Sequence, residues 1–227
     1  MLTDLSVKDF LNKTAGNDPV PGGGSISALN GAIAAALGEM VTRLTIGRKK
    51  YADREAETTT LLAEIEPVRN ELETDIDRDS DAYNLVFDAF KLPKDTDEEK
   101  STRSAAIQSA TKYAAEVPMQ VARRVISIMP KLEVIARTGN QNAVTDACVA
   151  TMCARTAVLG ALMNVRINLS SIKDEDYVKL WHSKHPHYMT KLWPSRSECL
   201  TILMKISNKQ ITNEQKHISD RQRRPHI

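Results

Sequence analysis

Apolar residues recur at helical spacing along most of the chain. Leu5, Phe10 and Leu11 fall on one side of a short first helix that Thr3 or Asp4 can cap, and it ends near Gly16. Pro19-Val20-Pro21-Gly22-Gly23-Gly24 cannot continue a helix, and Ser25 stands where an N-cap belongs. A long second helix is predicted from there to about Tyr51. Its Ala28, Gly31, Ala32, Ala35, Ala36 and Gly38 make a face small enough for another helix backbone to approach closely. A third, from Asp53 to about Phe90, carries Leu61, Leu62, Ile65, Val68, Leu72 and Ile76 on one side, with a kink expected at Pro67. Leu92-Pro93-Lys94-Asp95 breaks that run, and Thr96 with Glu99 restarts it as a capping box. Two stretches divided at Pro118 lead to the turn Thr138-Gly139-Asn140, and a last long helix covers roughly Gln141 to Asn168. No segment reads as a strand. The fold class expected is all-α, a bundle of long antiparallel helices.

Composition agrees with that pattern. Apolar residues make up 41% and aromatics 4%, so the core must be built from Ala, Leu, Ile, Val and Met. The stretch from Ile26 to Ile46 is apolar enough to raise the question of a membrane. It contains Asn30, Glu39 and Arg43, and charges at the centre of a span cost several kcal/mol. A buried core helix is the expectation. Three cysteines in no metal-ligand spacing, and no cationic segment followed by an apolar run, point to reduced thiols in a cytoplasmic protein. The formal charge of +2 hides a split: residues 178–227 hold ten Lys and Arg against three Asp and Glu, a net +7, which leaves residues 1–177 at −5. The mildly acidic body argues against a nucleic-acid-binding module.

The last fifty residues differ in kind. All five histidines and both tryptophans lie there. Read from the third base of each codon, His187 to Ser195 back-translates to L-[HY]-D-[EKQ]-[AT]-[LMV]-A-[ILVF], an ordinary amphipathic helix. A frameshift between Val178 and His182 is the expectation, dividing the chain into a helical domain, 1–177, and an atypical tail, 178–227. His182, His185 and His187 imitate metal ligands, but they sit in that tail, and no metal is expected. The basic end at Arg221, Arg223 and Arg224 reads as a disordered terminus.

Three segments carry candidate chemistry, each with a structural alternative. Gly22-Gly23-Gly24-Ser25 opens an apolar helix, where backbone N–H groups either turn toward an anion or simply start the helix. Asp75, Asp77, Asp79 and Asp81 place four carboxylates in seven residues. Crowding of that kind raises carboxyl pKa values toward acid–base range, unless the run is a solvated face. Thr138-Gly139-Asn140-Gln141-Asn142 with Asp146, and later Asn164-Val165-Arg166-Ile167-Asn168, set amides at the edges of an apolar helix. Such amides cross-link helices or read the edge of a heterocycle.

Together these segments resemble the cyclodeaminase/cyclohydrolase family, found at the C-terminus of formimidoyltransferase-cyclodeaminase and as a stand-alone bacterial protein. The matching pieces are PVPGGGSISALNGAIAAAL, LTIGRKKY, DRDSDAY, KLPKDTDEE, GNQNAVTDA and NVRINL, in order from about residue 5 to 177. The resemblance implies an all-α homodimer with its site in a cleft near the subunit interface. It implies action on 5-formimidoyltetrahydrofolate, releasing ammonia and closing to 5,10-methenyltetrahydrofolate, or else hydration of methenyltetrahydrofolate to 10-formyltetrahydrofolate. Cyclodeamination is the first expectation and cyclohydrolysis the second. A non-catalytic helical dimer that keeps the fold is the reading from another class. The resemblance places the catalytic carboxyl on Asp79, with Asp77 as the other candidate. It places substrate binding on Gly22, Gly23, Gly24, Ser25, Lys49, Lys50, Asn140, Asn142 and Asp146. No metal or organic cofactor is implied, and a fused or interacting formimidoyltransferase is the partner it suggests beside the folate. From Val178 onward the match fails.

Overall fold

The computed structural model describes residues 1–184, and all of its regular structure there is helical. α1 spans Val7–Thr14, α2 Gly23–Thr45, α3 Glu55–Lys91, α4 Asp97–Thr138, α5 Val144–Leu169 and α6 Glu175–Lys184. Short 3₁₀ turns occupy Leu2–Asp4, Lys49–Arg54 and Gln141–Ala143.

α2 to α5 form an up-down-up-down four-helix bundle, and the small residues of α2 set its register. A Cβ added to Gly31 would stand 2.8 Å from Val125 of α4 and 3.2 Å from Leu72 of α3. One added to Gly38 would stand 2.5 Å from Leu132 and 3.6 Å from Ile65. One added to Gly24 would overlap the carboxyl group of Asp79. Positions 24, 31 and 38 therefore descend α2 in heptad steps while 79, 72 and 65 ascend α3 in the same steps, as close antiparallel packing requires. Leu72, Val125, Leu132 and Ile65 are fully or almost fully buried by this arrangement. α5 closes the other side, where Gly160 meets Ser27 and Asn164 meets Gly23.

Several boundaries differ from the periodicity-based reading, each for a visible reason. Ser6, not Thr3 or Asp4, caps α1, accepting from the Asp9 N–H at 3.1 Å. Thr3 is turned toward Asp77 and Asp4 pairs with the N-terminal amine. α2 starts at Gly23 with Gly22 as its cap, two residues before Ser25. It stops at Thr45, short of Tyr51, because Gly47 adopts φ +73° and the Asn140 side chain donates to the Leu44 carbonyl. α4 runs unbroken through Pro118. Proline removes the N–H that would bond to the carbonyl four residues back, and the Asn168 side chain donates to that Ala114 carbonyl at 2.8 Å. The Thr96–Glu99 capping box forms as expected.

α2 and the Gln141–Leu169 segment are both long and apolar enough to cross a membrane by length and composition. In the bundle, α2 buries Ala28, Ala34, Ala35 and Val41, and its Glu39 pairs with Arg69 at 2.7 Å. Apolar stripes remain exposed at Ile33, Met40 and Leu44 on α2 and at Val149, Met152, Met163 and Ile167 on α5. α6 runs continuously across the expected junction between 177 and 178. Most of the tail, including His185, His187, Trp193 and the terminal arginines, lies outside the described residues.

Gly31→Ala and Gly38→Ala should each cost about 1–3 kcal/mol in denaturant unfolding, because a methyl there meets packed side chains. Losses under about 0.5 kcal/mol would show that α2 is not seated this closely.

Candidate active site

The four carboxylates of the acidic run have four different fates: Asp75 and Asp79 share one side of α3 and Asp77 and Asp81 the other, and each meets different neighbours. Asp75 is fully buried between α3 and α4, bonded to Arg78 at 2.7 Å and Arg124 at 2.6 Å. Burial pushes its carboxyl up, and the two guanidinium groups oppose that rise. The pair also holds the Gln120 side chain, so this is a cross-link between helices. Asp77 receives the Leu2 N–H at 2.5 Å and the Thr3 hydroxyl at 3.0 Å, and so ties down the N-terminal turn. Asp81 is exposed. Only Asp79 reaches the glycine segment.

Asp79 sits against the first turn of α2. Its carboxyl fills the space that a side chain at Gly24 would need, and the Ser25 N–H and hydroxyl both bond to it. The Ser25 hydroxyl lies 3.3 Å from Asp79 Oδ2, 2.8 Å from the Ile76 carbonyl and 3.1 Å from the Ser80 hydroxyl. Ser25 and Ser80 are buried. Burial raises the Asp79 carboxyl above its ordinary value, and the two Ser25 bonds pull it back only in part. No charged side chain among the described residues contributes to that balance. The crowding of carboxylates expected from the sequence is therefore not the cause: partial burial is. A carboxyl in this setting can hold a proton and release it, which is the requirement for a general acid and base.

The glycine segment holds a group of the protein itself. The start of a helix attracts an anion, and here the anion is the protein's own Asp79. Gly24 is glycine because the carboxyl occupies the volume of its missing side chain. Gly23 is exposed and faces Asn164 of α5, whose Nδ2 would lie 3.2 Å from a Cβ there. Asn164 is thus the site neighbour that sequence reasoning left out of its site set, although it opens the NVRINL segment.

The remaining expected site residues lie at the other end of α2. A helix of 23 residues is about 33 Å long, which separates them from Asp79 within one chain. Asn140 is buried, accepts from the Asn142 N–H, and bonds to the Leu44 carbonyl and, through its own N–H, to Thr45. It cross-links helix ends, and no ligand is needed to explain it. Lys49, Lys50 and Asn142 are exposed, and Asp146 lies in the first turn of α5. Asp77 is likewise removed from the Asp79 site by its bonds to residues 2 and 3. Among the described residues, no cluster of His, Cys, Asp and Glu could hold a metal ion.

The fold and site define an all-α bundle protein with a half-buried carboxyl at the start of its central helix. The chain belongs to the formiminotransferase-cyclodeaminase family, whose profile matches residues 6–185. It is 38% identical over 179 residues to a methenyltetrahydrofolate cyclohydrolase from Methylorubrum extorquens, covering 79% of this chain and 86% of that one. It is 32% identical over 183 residues to formimidoyltransferase-cyclodeaminase of Mus musculus, covering 81% of this chain but only 34% of that longer protein. The crystal structure of formiminotetrahydrofolate cyclodeaminase from Thermotoga maritima superposes with a TM-score of 0.76 at 29% identity, covering 93% of this chain and all of that one.

A buried carboxyl with a raised pKa favours the folded state while it is neutral. That contribution is complete below the ordinary value and is lost as pH rises through the raised one. Asp79→Asn should therefore melt at a higher temperature than wild type at neutral pH, with the gap closing toward about pH 4. A gap that stays constant across that range, or a lower melting temperature throughout, would mean Asp79 is not held in this way.

Proposed function

We propose that this chain acts on the one-carbon bridge between N5 and N10 of a tetrahydrofolate, with Asp79 relaying the proton. The observation that carries this reading is the half-buried carboxyl at the α2 start, lifted by burial and paired with no cation among the described residues. The reaction we favour is hydrolysis of methenyltetrahydrofolate, because the relative of that name is similar over 86% of its length.

In that reaction water adds to the cationic methenyl carbon and gives one proton to the Asp79 carboxylate. The carboxyl returns the proton to N5 as the carbon–N5 bond breaks. The new hydroxyl loses its proton to solvent and becomes the carbonyl of 10-formyltetrahydrofolate. One proton is released overall, which balances the charge of the methenyl cation. Ser25 steadies Asp79 in both protonation states, accepting from a neutral carboxyl and donating to a charged one.

The second reading is cyclodeamination of 5-formimidoyltetrahydrofolate, favoured by the likeness to the Thermotoga maritima and mouse proteins. There N10 attacks the amidine carbon, and Asp79 supplies the proton with which ammonia leaves. The same carboxyl serves both reactions, and they differ in whether water or N10 reaches the carbon. A second copy of the chain covering the exposed stripes of α2 and α5 is the homodimer we propose, and a sedimentation mass of one chain would exclude it.

Methenyltetrahydrofolate has its own near-ultraviolet band, so its decay measures hydrolysis and its appearance from the formimidoyl compound measures deamination. Asp79→Asn should lower kcat about 10²–10⁴-fold with helix content unchanged. Full activity in that variant would remove Asp79 from the mechanism, and no turnover of either folate by the wild type would refute the reading.

A further inference from the structure

The Ser25 hydroxyl meets more partners than one proton can serve. Its oxygen lies 2.8 Å from the Ile76 carbonyl, 3.1 Å from the Ser80 hydroxyl and 3.3 Å from Asp79 Oδ2. A carbonyl and a charged carboxylate only accept, whereas a hydroxyl donates once and accepts twice. Where the Ser25 proton goes is therefore decided by Ser80.

Ser80 is buried on the α2-facing side of α3, one turn beyond Ile76. Among the described residues, its hydroxyl bonds to Ser25 alone. A buried donor left without an acceptor is costly, so the Ser80 proton goes to Ser25 Oγ. The Ser25 proton must then point away from Ser80, toward Asp79 or Ile76. With Asp79 charged, the carboxylate takes it, because hydrogen bonds to ionised acceptors are about twice as strong as neutral ones. With Asp79 neutral, the carboxyl donates to Ser25 Oγ, and the Ser25 proton turns to the Ile76 carbonyl. Neither state leaves a hydroxyl proton unpaired, and one rotation of the Ser25 hydroxyl connects them.

We propose that Ser80 is a positioning residue for Asp79, holding the Ser25 hydroxyl as a donor that follows the proton on the carboxyl. The inference rests on the reading of Asp79 as the proton relay and deepens it. Linked hydrogen bonds strengthen one another by roughly 10–30% per bond, so the Ser80 donation makes Ser25 a better donor to the charged carboxylate. The other neighbours of Asp79 do not respond to its charge in this way. Gly24 on α2 carries no side chain, and Asn164 beside Gly23 on α5 is neutral. On α3, Asp75 is held by Arg78 and Arg124, and Asp77 by residues 2 and 3. No charged side chain among the described residues adds to the balance at Asp79.

The test is a ¹³C NMR titration of the Asp79 carboxyl in wild type, Ser80→Ala, Ser25→Ala and the double variant, with helix content followed by circular dichroism. Alanine suits a helix at both positions, and in Ser25→Ala the Ser80 hydroxyl can turn to the Ile76 carbonyl four residues back. Ser80→Ala should move the Asp79 midpoint to higher pH, and Ser25→Ala should move it further. The double variant should titrate where Ser25→Ala does, because Ser80 acts through Ser25. The acidic limb of the kcat profile should follow the same order, with KM within about two-fold of wild type. A midpoint in Ser80→Ala equal to that of wild type would overturn the assignment. So would a Ser80→Ala shift that survives in the Ser25→Ala background. Midpoints that move as stated in a protein that turns over neither folate would refute the folate reading and leave the hydroxyl pair standing.

Discussion

The glycine heptad of α2 is the constraint from which the rest of the molecule follows. A helix made of Leu and Ile would stand away from its neighbours, because side chains would hold the backbones apart. With glycine at 24, 31 and 38, α2 sinks between α3 and α4 until Leu72, Val125, Leu132 and Ile65 touch its backbone. Close packing of that kind gains dispersion contacts along the whole seam and fixes the register, since a slip by one residue drives a side chain into a helix. It also settles how a chain with 4% aromatic residues can build a core: the volume is supplied by closeness, not by large side chains.

The uppermost rung of this ladder breaks the rule that the lower two obey. Where the register places Leu72 and Ile65 against glycine, it places Asp79 against Gly24. An apolar side chain there would gain burial and cost nothing, whereas a carboxyl must be dehydrated and held by the Ser25 N–H and hydroxyl. The α2 start offsets part of that cost through its exposed N–H groups. A charge-bearing group kept at a packing position, with no cation beside it, is the mark of a site where protonation state matters. Asp75, one turn earlier, shows the contrast: it is more deeply buried, but two arginines meet it and it links helices.

Much of the fold was legible in the sequence because helical periodicity, the Thr96–Glu99 box and the small-residue face of α2 are local signals. Less legible were features that depend on a partner distant in the chain. Pro118 looked like a break because the amide that compensates it, Asn168, lies fifty residues away. The α2 start was placed at Ser25 because nothing nearby shows that Asp79 serves the first turn. The glycine segment and the acidic run were both visible as unusual, and the structure joins them through one residue of the four. Lys49, Lys50, Asn140, Asn142 and Asp146 share the family's pattern, yet a single chain holds them at the opposite end of α2 from Asp79. Spacing in sequence could not show that separation, which comes from the length of a helix. The likeness between positions 24, 31, 38 and 79, 72, 65 was the one available signal that Asp79 and Gly24 meet.

The central claim is that burial, and not a neighbouring charge, sets the protonation of Asp79. A ¹³C NMR titration of the side-chain carboxyls in wild type and Asp79→Asn reads that directly. The expected result is two aspartate resonances titrating above the ordinary range, those of Asp75 and Asp79, with one of them missing from the variant. If every aspartate titrates in the ordinary range, or the raised resonances are unchanged after Asp79 is replaced, the account is wrong.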